Sequence, residues 1–294
     1  MQDIDKDSPE SHIIQFCLSP PQHLLLTDPR YTNSVLRLPG PWVIKYGISV
    51  SPNEARNQRY ARRIIDLDIV YVPQVYRSFT DDEGVGYVIM EYVEGKPIYS
   101  IDSDSQQDAI CRMLAHFASL SSSMPGPLGG GSSPALIFGE QSEPTFMTIQ
   151  DIEEWINDRL LLSQTQVSFT NTRLSLCHLD IAPRNLLQRD DGSLCLIDWA
   201  TAGFYPWFFE VCSQRLVVPQ CNIFNQQLLE CMNEPSAAED TLIRTMLLAW
   251  FNCQKYNMPR SQRRNKKDFE RGDVKIMLHS GPPPPGAIHQ PGPT

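Results

Sequence analysis

Four short apolar runs stand out in the first third of the chain. Residues 34–38 and 42–46 flank the turn residues 39–41, Pro-Gly-Pro, which is typical of two antiparallel strands joined by a tight turn. Residues 73–79 and 87–92 are also rich in β-branched and aromatic side chains, and they indicate two more strands. The pattern predicts an N-terminal β-rich unit.

Apolar residues at three- and four-residue spacing predict helices in much of the remaining chain. One helix is expected to begin at Ser51, and others are expected over 105–121 and from Thr148 to about 161. Residues 222–257 read as two helices separated by a Glu-Pro pair. A β-rich start followed by a mainly helical remainder predicts an α+β fold.

A β-hairpin is predicted in the middle of the chain. Residues 186–188 and 194–197 are β-prone and flank the turn Asp-Asp-Gly at 190–192. Because a hairpin brings its ends together, Asn185 and Asp198 are expected to lie about 5 Å apart if directly paired.

The loop at 178–185, which follows a short apolar strand at 174–177, adds a further carboxylate. Asp180, Asn185 and Asp198 would then supply two carboxylates and an amide oxygen to one small volume. Such hard oxygen ligands suit Mg²⁺, which usually completes its coordination shell with water and phosphate oxygens. This chemistry points to nucleotide phosphates.

The same residues carry a family signature. His178, Asp180 and Asn185 form the pattern His-x-Asp-x-x-x-x-Asn, and Ile-Asp-Trp follows the hairpin at 197–199. This arrangement resembles the catalytic segment of the aminoglycoside phosphotransferase and choline kinase group of kinase-like small-molecule phosphotransferases. The resemblance spans roughly residues 30–255, although only the central stretch is specific.

The resemblance implies a bilobal protein-kinase-like fold. A small N-terminal β-rich nucleotide-binding lobe is expected over 1–93, with its first 12 residues frayed. A larger, mainly helical catalytic and substrate lobe is expected over 94–279, and a disordered Pro/Gly-rich tail over 280–294. The basic run at 260–271 favours a solvated helix face or a disordered arm, with an anionic partner or nuclear signal as the alternative.

The resemblance also assigns roles to the central loop in an ATP- and Mg²⁺-dependent transfer of phosphate to a hydroxyl group. Asp180 would orient the hydroxyl of the acceptor as the catalytic residue, and Asn185 and Asp198 would hold Mg²⁺. His178 would be structural, holding the loop by hydrogen bonds. Arg184 could contact phosphate, but an exposed arginine is the simpler interpretation.

Lys45 lies on a predicted strand, where the resemblance implies contact with the α- and β-phosphates of the nucleotide. Two interpretations fit Glu54. It completes a capping box with Ser51 at the start of a helix, or, as the resemblance implies, it pairs with Lys45.

The strand at 87–92 resembles the one that leads to the hinge between the lobes. The resemblance implies that the backbone of Glu91 and Val93 bonds adenine and that Met90 forms the floor of its pocket. A buried strand followed by a turn is the alternative.

Composition and charge argue against several classes of protein. The formal net charge of −9 argues against a nucleic-acid-binding protein. The eight cysteines include no Cys-x-x-Cys pair, so zinc or thioredoxin-type chemistry has no support. No apolar stretch approaches the roughly 20 residues of a membrane span, and the polar, acidic N-terminus does not read as a signal peptide. A cytoplasmic protein without a membrane partner is expected.

Two conspicuous segments receive structural interpretations. The glycines at 129–131 lack the Lys-Ser or Lys-Thr ending of a phosphate-binding loop, so a flexible connector is predicted. The five aromatic residues within 204–209 are predicted to serve packing.

Two other functions stay open. The chain would be a nucleotide-binding module without transfer activity if the site were degenerate, but Lys45, Asp180, Asn185 and Asp198 are all present. A protein kinase is the third hypothesis, and the missing glycine-rich loop before Lys45 argues against it. The acceptor cannot be identified from these residues, because fold does not fix substrate.

Overall fold

The computed structural model describes residues 4–27, 32–139, 143–163, 165–169, 172–217, 223–257 and 277–278. The basic run at 260–271 and the tail at 280–294 lie outside these residues. The α-helices are α1 (Glu10–Leu18), α2 (Pro52–Ile64), α3 (Asp104–Ser119), α4 (Ile149–Asp158), α5 (Phe208–Val217), α6 (Ile223–Cys231) and α7 (Ala237–Lys255).

The strands are short and mostly antiparallel. They are β1 (Asn33–Arg37), β2 (Trp42–Gly47), β3 (Val75–Thr80), β4 (Gly86–Glu91), β5 (Lys96–Pro97), β6 (Ser121–Ser122), β7 (Gly126–Pro127), β8 (Leu174–Cys177), β9 (Leu186–Gln188), β10 (Leu194–Leu196), β11 (Gly203–Pro206), β12 (Tyr256–Asn257) and β13 (Met277–Leu278).

The first four strands form one antiparallel sheet in the order β1-β2-β4-β3. Successive side chains of a strand point to opposite faces, so this sheet has two different surfaces. Ile44 and Ile89 share one surface, and Lys45 lies opposite Val88 on the other. The predicted α+β class, with an antiparallel sheet followed by a larger helical part, is confirmed.

Helix α1 covers the surface of the sheet that carries Ile44. Ile13 and Cys17 of the helix are buried in the same cluster as Ile44, and Ile4 joins them. The expectation that residues 1–12 are frayed is therefore wrong for the described part, because Ile4 and Ile13 anchor this segment by apolar burial.

Helix α2 covers the other surface. Its Ala55 packs with Val88 of β4 and Val75 of β3, and its first turn begins where the side chain of Ser51 accepts a hydrogen bond from the Glu54 N–H. The predicted start at Ser51 is confirmed. Lys45, on the surface covered by α2, consequently points between the sheet and the helix.

The rest of the described chain packs around an aromatic core. Phe138 contacts Trp155, Tyr205 and Phe209 with ring centroids 5.3, 5.7 and 6.2 Å away. The predicted packing role of the segment at 204–209 therefore holds. No helix in the described ranges is long and apolar enough to span a membrane.

One residue joins the sheet region to the central hairpin. The N–H of Tyr71 donates to the Leu194 carbonyl at 2.8 Å, and the Leu196 N–H donates to the Tyr71 carbonyl at 3.0 Å. These bonds extend the β9–β10 hairpin by a parallel bridge. They fix the hairpin, and the polar residues at its base, against the segment that leads into β3.

Candidate active site

The hairpin forms as predicted, with Leu194 opposite Gln188 and Leu196 opposite Leu186. At its base, the Ile197 N–H donates to the carbonyl of Asn185 at 2.9 Å. Asn185 therefore faces Ile197, and Asp198 lies one residue beyond that pair. Asn185 and Asp198 therefore both lie at the base of the hairpin, but they do not pair directly.

Asp180 and Asn185 meet directly within the loop. The Asn185 Nδ2 donates to the backbone carbonyl of Asp180 at 2.9 Å and to its Oδ2 at 2.8 Å. The guanidinium of Arg184 lies 2.7 Å from each carboxylate oxygen of Asp180. Burial raises the pKa of Asp180, and Arg184 partly opposes that shift.

Lys45 connects the sheet to the segment that follows the hairpin. Its Nζ donates to Glu54 Oε1 at 2.6 Å and to Asp198 Oδ1 at 3.0 Å. Burial acts to lower the pKa of Lys45, but the carboxylates of Asp198 and Glu54 outweigh it and hold the ammonium charged. Burial likewise acts to raise the pKa of Asp198, and Lys45 reverses the shift so that it falls below its ordinary value.

The structure decides between the two interpretations of Glu54. Its backbone N–H bonds the Ser51 side chain, but its carboxylate, at the end of a side chain that is 3% exposed, bonds Lys45. The capping-box interpretation is therefore wrong for the Glu54 side chain, and Ser51 caps the helix alone. Burial raises the pKa of Glu54, and Lys45 opposes this.

Asp198 has a left-handed backbone, with φ of 64°, and a turn of 3₁₀-helix follows at Trp199–Thr201. Its side chain is one-third exposed. Across the described residues, no group of three or more His, Cys, Asp and Glu side chains could hold a metal ion. A Mg²⁺ ion bound by Asp198 and the amide oxygen of Asn185 would take its other ligands from water and phosphate, which is its usual coordination.

The predicted adenine site lies at the end of β4. Met90 is half-buried on the same surface of the sheet as Lys45, because it follows Val88 by two residues. The Gln58 Nε2 lies 3.6 Å from its sulfur. Val93 is also half-buried, beyond the last residue of the strand.

The Glu91 side chain is held in a network that the sequence did not indicate. Its carboxylate accepts hydrogen bonds from the Tyr71 hydroxyl at 2.8 and 3.0 Å and from the Gln74 N–H at 3.0 Å. Tyr71 also carries the backbone bonds to the hairpin. The network therefore joins the predicted hinge to the segment that fixes the base of the loop.

Side chains of helix α5 hold the backbone of the 178–185 loop by hydrogen bonds. This contact was not predicted from the sequence. The Oε2 of Glu210 accepts the N–H groups of His178 and Leu179 at 2.6 and 2.9 Å. The Ser213 hydroxyl donates to the Leu179 carbonyl, and the Gln214 Nε2 donates to the Ile181 carbonyl. Positions 210, 213 and 214 lie on one helix face. Three polar residues at this spacing, directly after the aromatic segment, were the signal from which a polar helix face could have been predicted.

Glu210 is fully buried. Burial raises the pKa of this carboxyl group to about 7, against the effect of the two backbone N–H donors. The loop is therefore held by a group that gains or loses its proton near neutral pH.

His178 holds the loop through hydrogen bonds of its backbone. Its N–H donates to Glu210, and its carbonyl accepts from the Thr201 hydroxyl at 2.7 Å. The ring is fully buried and edge-on to Trp199, with centroids 4.8 Å apart. Burial lowers the pKa of His178 to about 4, so the ring is neutral at pH 7.

The model of the phosphotransferase enzyme family matches residues 40–214. No curated protein matches the chain by sequence. The structure resembles a thermostable mutant of aminoglycoside phosphotransferase APH(4)-Ia in its apo form, with 16% identity, a TM-score of 0.54, and coverage of 90% of this chain and 93% of that one.

A further variant of that enzyme, in ternary complex with AMP-PNP and hygromycin B, has 16% identity and a TM-score of 0.51, and the match covers 85% of this chain and 87% of that one. Another, in ternary complex with ADP and hygromycin B, has 15% identity and a TM-score of 0.51, with coverage of 85% and 87%. At these identities the likeness shows a shared fold.

Proposed function

Because the chain belongs to the phosphotransferase enzyme family, we propose that it transfers the γ-phosphoryl group of ATP to a hydroxyl group of a small molecule. The fold and family are those expected from the residues of the central loop.

The observation that carries the proposal is the position of Lys45. Its ammonium group lies between the buried carboxylate of Glu54 and the partly exposed carboxylate of Asp198. In phosphotransferases of this kind, a lysine held by a glutamate contacts the α- and β-phosphates while an aspartate holds the metal. The contacts of Lys45 with Glu54 and Asp198 have this form.

Asp180 is proposed as the catalytic residue. Its carboxylate would accept a hydrogen bond from the acceptor hydroxyl, orient the oxygen towards the γ-phosphorus and take the proton late in the transfer. Because the transition state of phosphoryl transfer is loose, orientation contributes more than basicity. Each carboxylate oxygen has two lone pairs, so the contact with Arg184 leaves room for the acceptor.

Asn185 and Asp198 are proposed to hold Mg²⁺. Both hydrogen bonds of the Asn185 amide are donated by Nδ2, which leaves its oxygen for a metal. When bound, the ion would neutralise charge on the phosphate oxygens.

The nucleotide is proposed to bind with its adenine at the end of β4, beside Met90 and against the backbone of Glu91 and Val93. Met90 supports this placement because it lies on the same sheet surface as Lys45. The related enzyme in complex with AMP-PNP supports ATP as the phosphate donor. The acceptor is proposed to be a soluble hydroxyl compound, and the protein is proposed to act in the cytoplasm without a nucleic-acid or membrane partner.

A thermal-shift titration tests the nucleotide part of the proposal. Mg·ATP is expected to raise the melting temperature of the wild-type chain, since a ligand that binds only the folded state stabilises it. Lys45→Met should abolish the shift, whereas Lys96→Met, which changes an exposed lysine on β5, should not. The absence of a shift at saturating Mg·ATP would disprove the nucleotide site.

A panel of hydroxyl metabolites and aminoglycosides, screened for ADP formation, tests the transfer. Wild-type activity with one acceptor class, lost in Asp180→Asn, is the expected result. Stabilisation by Mg·ATP without ADP formation for any acceptor would favour the nucleotide-binding module instead.

A further inference from the structure

Asn57 of helix α2 is fully buried, and each polar atom of its amide is bonded. Its Nδ2 donates to the carbonyls of Trp199 and Ala200 at 3.0 and 3.1 Å. Its Oδ1 accepts the N–H of Gly129 at 2.7 Å. One side chain therefore ties α2 to two segments that are distant in sequence.

These partners place Asn57 next to the ion pairs of Lys45. Glu54 lies three residues earlier on the same helix, so both side chains share a face. Trp199 directly follows Asp198, the second carboxylate on Lys45. The contacts close a ring that runs from Lys45 to Glu54, along α2 to Asn57, across to Trp199 and back through Asp198.

Gly129 approaches α2 more closely than any other residue type could. A Cβ at this position would lie 2.5 Å from the Cβ of Arg56 and 3.1 Å from the backbone N of Asn57. The neighbouring Leu128 N–H donates to the Ala202 carbonyl at 3.1 Å. The interpretation of the glycines at 129–131 as a flexible connector therefore does not hold at Gly129, which packs directly on the helix.

We propose that Asn57 is a positioning residue that, together with Gly129, locks α2 in the orientation in which Glu54 faces Lys45. The effect of this lock on catalysis rests on the proposed nucleotide site, but the orientation of α2 that it maintains can be measured without a nucleotide. A packing role alone would not need an amide, since a buried polar group is unfavourable unless its hydrogen bonds are satisfied.

Gly129→Ala tests the lock, and Gly130→Ala is its matched control. Both substitutions add one methyl group to the same segment. The methyl group at 129 would lie 2.5 Å from the Cβ of Arg56 and 3.1 Å from the nearest backbone atoms of α2, whereas the one at 130 meets nothing within 4 Å. Gly130 has a positive φ of 74°, so its alanine variant reports the cost of strain in the segment without displacing the helix.

The first measurement is acylation of Lys45 by an N-hydroxysuccinimide ester, read by mass spectrometry against the exposed Lys96. The Lys45 side chain is 11% exposed in the wild type, so its labelling should be slow. Gly129→Ala should accelerate it by about tenfold, equivalent to losing one ion-pair contact, and Gly130→Ala should not. Equal labelling of Lys45 in the two variants would overturn the proposal.

The second measurement is ADP affinity by calorimetry on the same folded variants. Gly129→Ala should weaken binding by about tenfold, with the KM for ATP raised and the KM for the acceptor unchanged. If Lys45 labelling rises but the wild type binds no nucleotide, the lock stands and the proposed function fails. If the wild type binds ADP and both alanine variants bind it equally well, the lock fails and the function stands.

Asn57→Asp provides an independent variant should Gly129→Ala not fold. A carboxylate at this position still accepts from Gly129, but it cannot donate to Trp199 and Ala200 and places negative charge against their carbonyls. We expect the same rise in Lys45 labelling, with recovery in Asn57→Gln to the extent that the longer amide reaches the same partners. Wild-type labelling in a folded Asn57→Asp variant would contradict the lock.

Discussion

The Nζ of Lys45 lies 3.0 Å from Oδ1 of Asp198, a residue 153 positions further along the chain. This contact joins the N-terminal sheet to the turn after the central hairpin. Because Glu54 holds the same ammonium from α2, a single cation organises two carboxylates from different elements. Removing the charge of Lys45 is therefore expected to affect both carboxylates.

Lys45→Met is expected to destabilise the fold as well as to remove nucleotide binding. The substitution leaves the buried Glu54 side chain, which is 3% exposed, without its cation, and breaking a buried pair costs about 3 to 5 kcal/mol. The double variant Lys45→Met/Glu54→Leu should recover much of this loss while remaining unable to bind ATP. Urea denaturation measures both variants, and a double variant no more stable than the single one would contradict the argument.

Asp180→Asn is expected to lower phosphate transfer by about 10² to 10⁴-fold and to leave ADP affinity nearly unchanged. The amide keeps the shape of the side chain but cannot accept the proton of the acceptor. Asp191→Asn, in the exposed hairpin turn, is the control. Steady-state kinetics with the acceptor found by screening provide the measurement, and full activity in Asp180→Asn would remove this residue from the catalytic role.

Glu210→Gln is expected to change how stability depends on pH. The pKa of folded Glu210 is about 7 and its ordinary value is 4.5, so the folded state keeps a proton that the unfolded chain releases between these values. The group therefore stabilises the fold at low pH, and about 3 kcal/mol of that stabilisation is lost as the pH rises from 4.5 to 7.

His178 acts in the opposite direction. Its folded pKa is about 4 against an ordinary 6.5, so its contribution is present above pH 6.5 and is lost as the pH falls towards 4. The two groups offset each other in the wild type between pH 4.5 and 6.5. Without Glu210 the free energy of unfolding should rise more steeply with pH, and parallel curves for the wild type and Glu210→Gln would refute the prediction.

Leu179 gives a test of backbone strain. It has a φ of 63° although its side chain is 3% exposed, so burial holds a non-glycine residue in a left-handed conformation. Leu179→Ala should cost about 2 to 5 kcal/mol, and Leu179→Gly should be more stable than the alanine variant by about 1 kcal/mol because glycine adopts this conformation freely.

Leu176, fully buried in strand β8, is the control for this comparison. In an extended strand glycine is worse than alanine, so the order of the two variants should reverse at that position. Denaturant titrations measure the stability of all four variants. If glycine and alanine have the same order of stability at both positions, backbone strain at Leu179 does not explain the difference between its two variants.

The sequence predicted those parts of the site that depend on local pattern. The hairpin turn brought Asn185 near Asp198, the strand pattern placed Lys45 in the sheet, and Ser51 marked the start of α2. Each of these predictions needs only neighbouring residues, because strand alternation and helix capping are local rules. The residue that pairs directly with Asn185 could not be predicted, because turn composition does not fix register.

The supports of the site could not be predicted in the same way. Asn57 bonds carbonyls 142 and 143 positions away, and Glu210 bonds backbone N–H groups 31 and 32 positions away. The spacing of Glu210, Ser213 and Gln214 marks one polar helix face, but it does not identify the distant backbone groups that this face bonds. Gly129 was misinterpreted for the same reason, since its lack of a side chain matters only against a helix whose position the sequence does not reveal.

The separation of Lys45 from Asp198 also bears on synthesis of the protein. All strands of the N-terminal sheet lie before residue 92, so this sheet can form on the ribosome soon after it emerges. Asp198 emerges more than 100 residues later, a delay on the order of 10 s at ordinary elongation rates. Until then the growing chain contains only Glu54 of the two carboxylates that bond Lys45, and the arrangement is completed by a late segment of the chain.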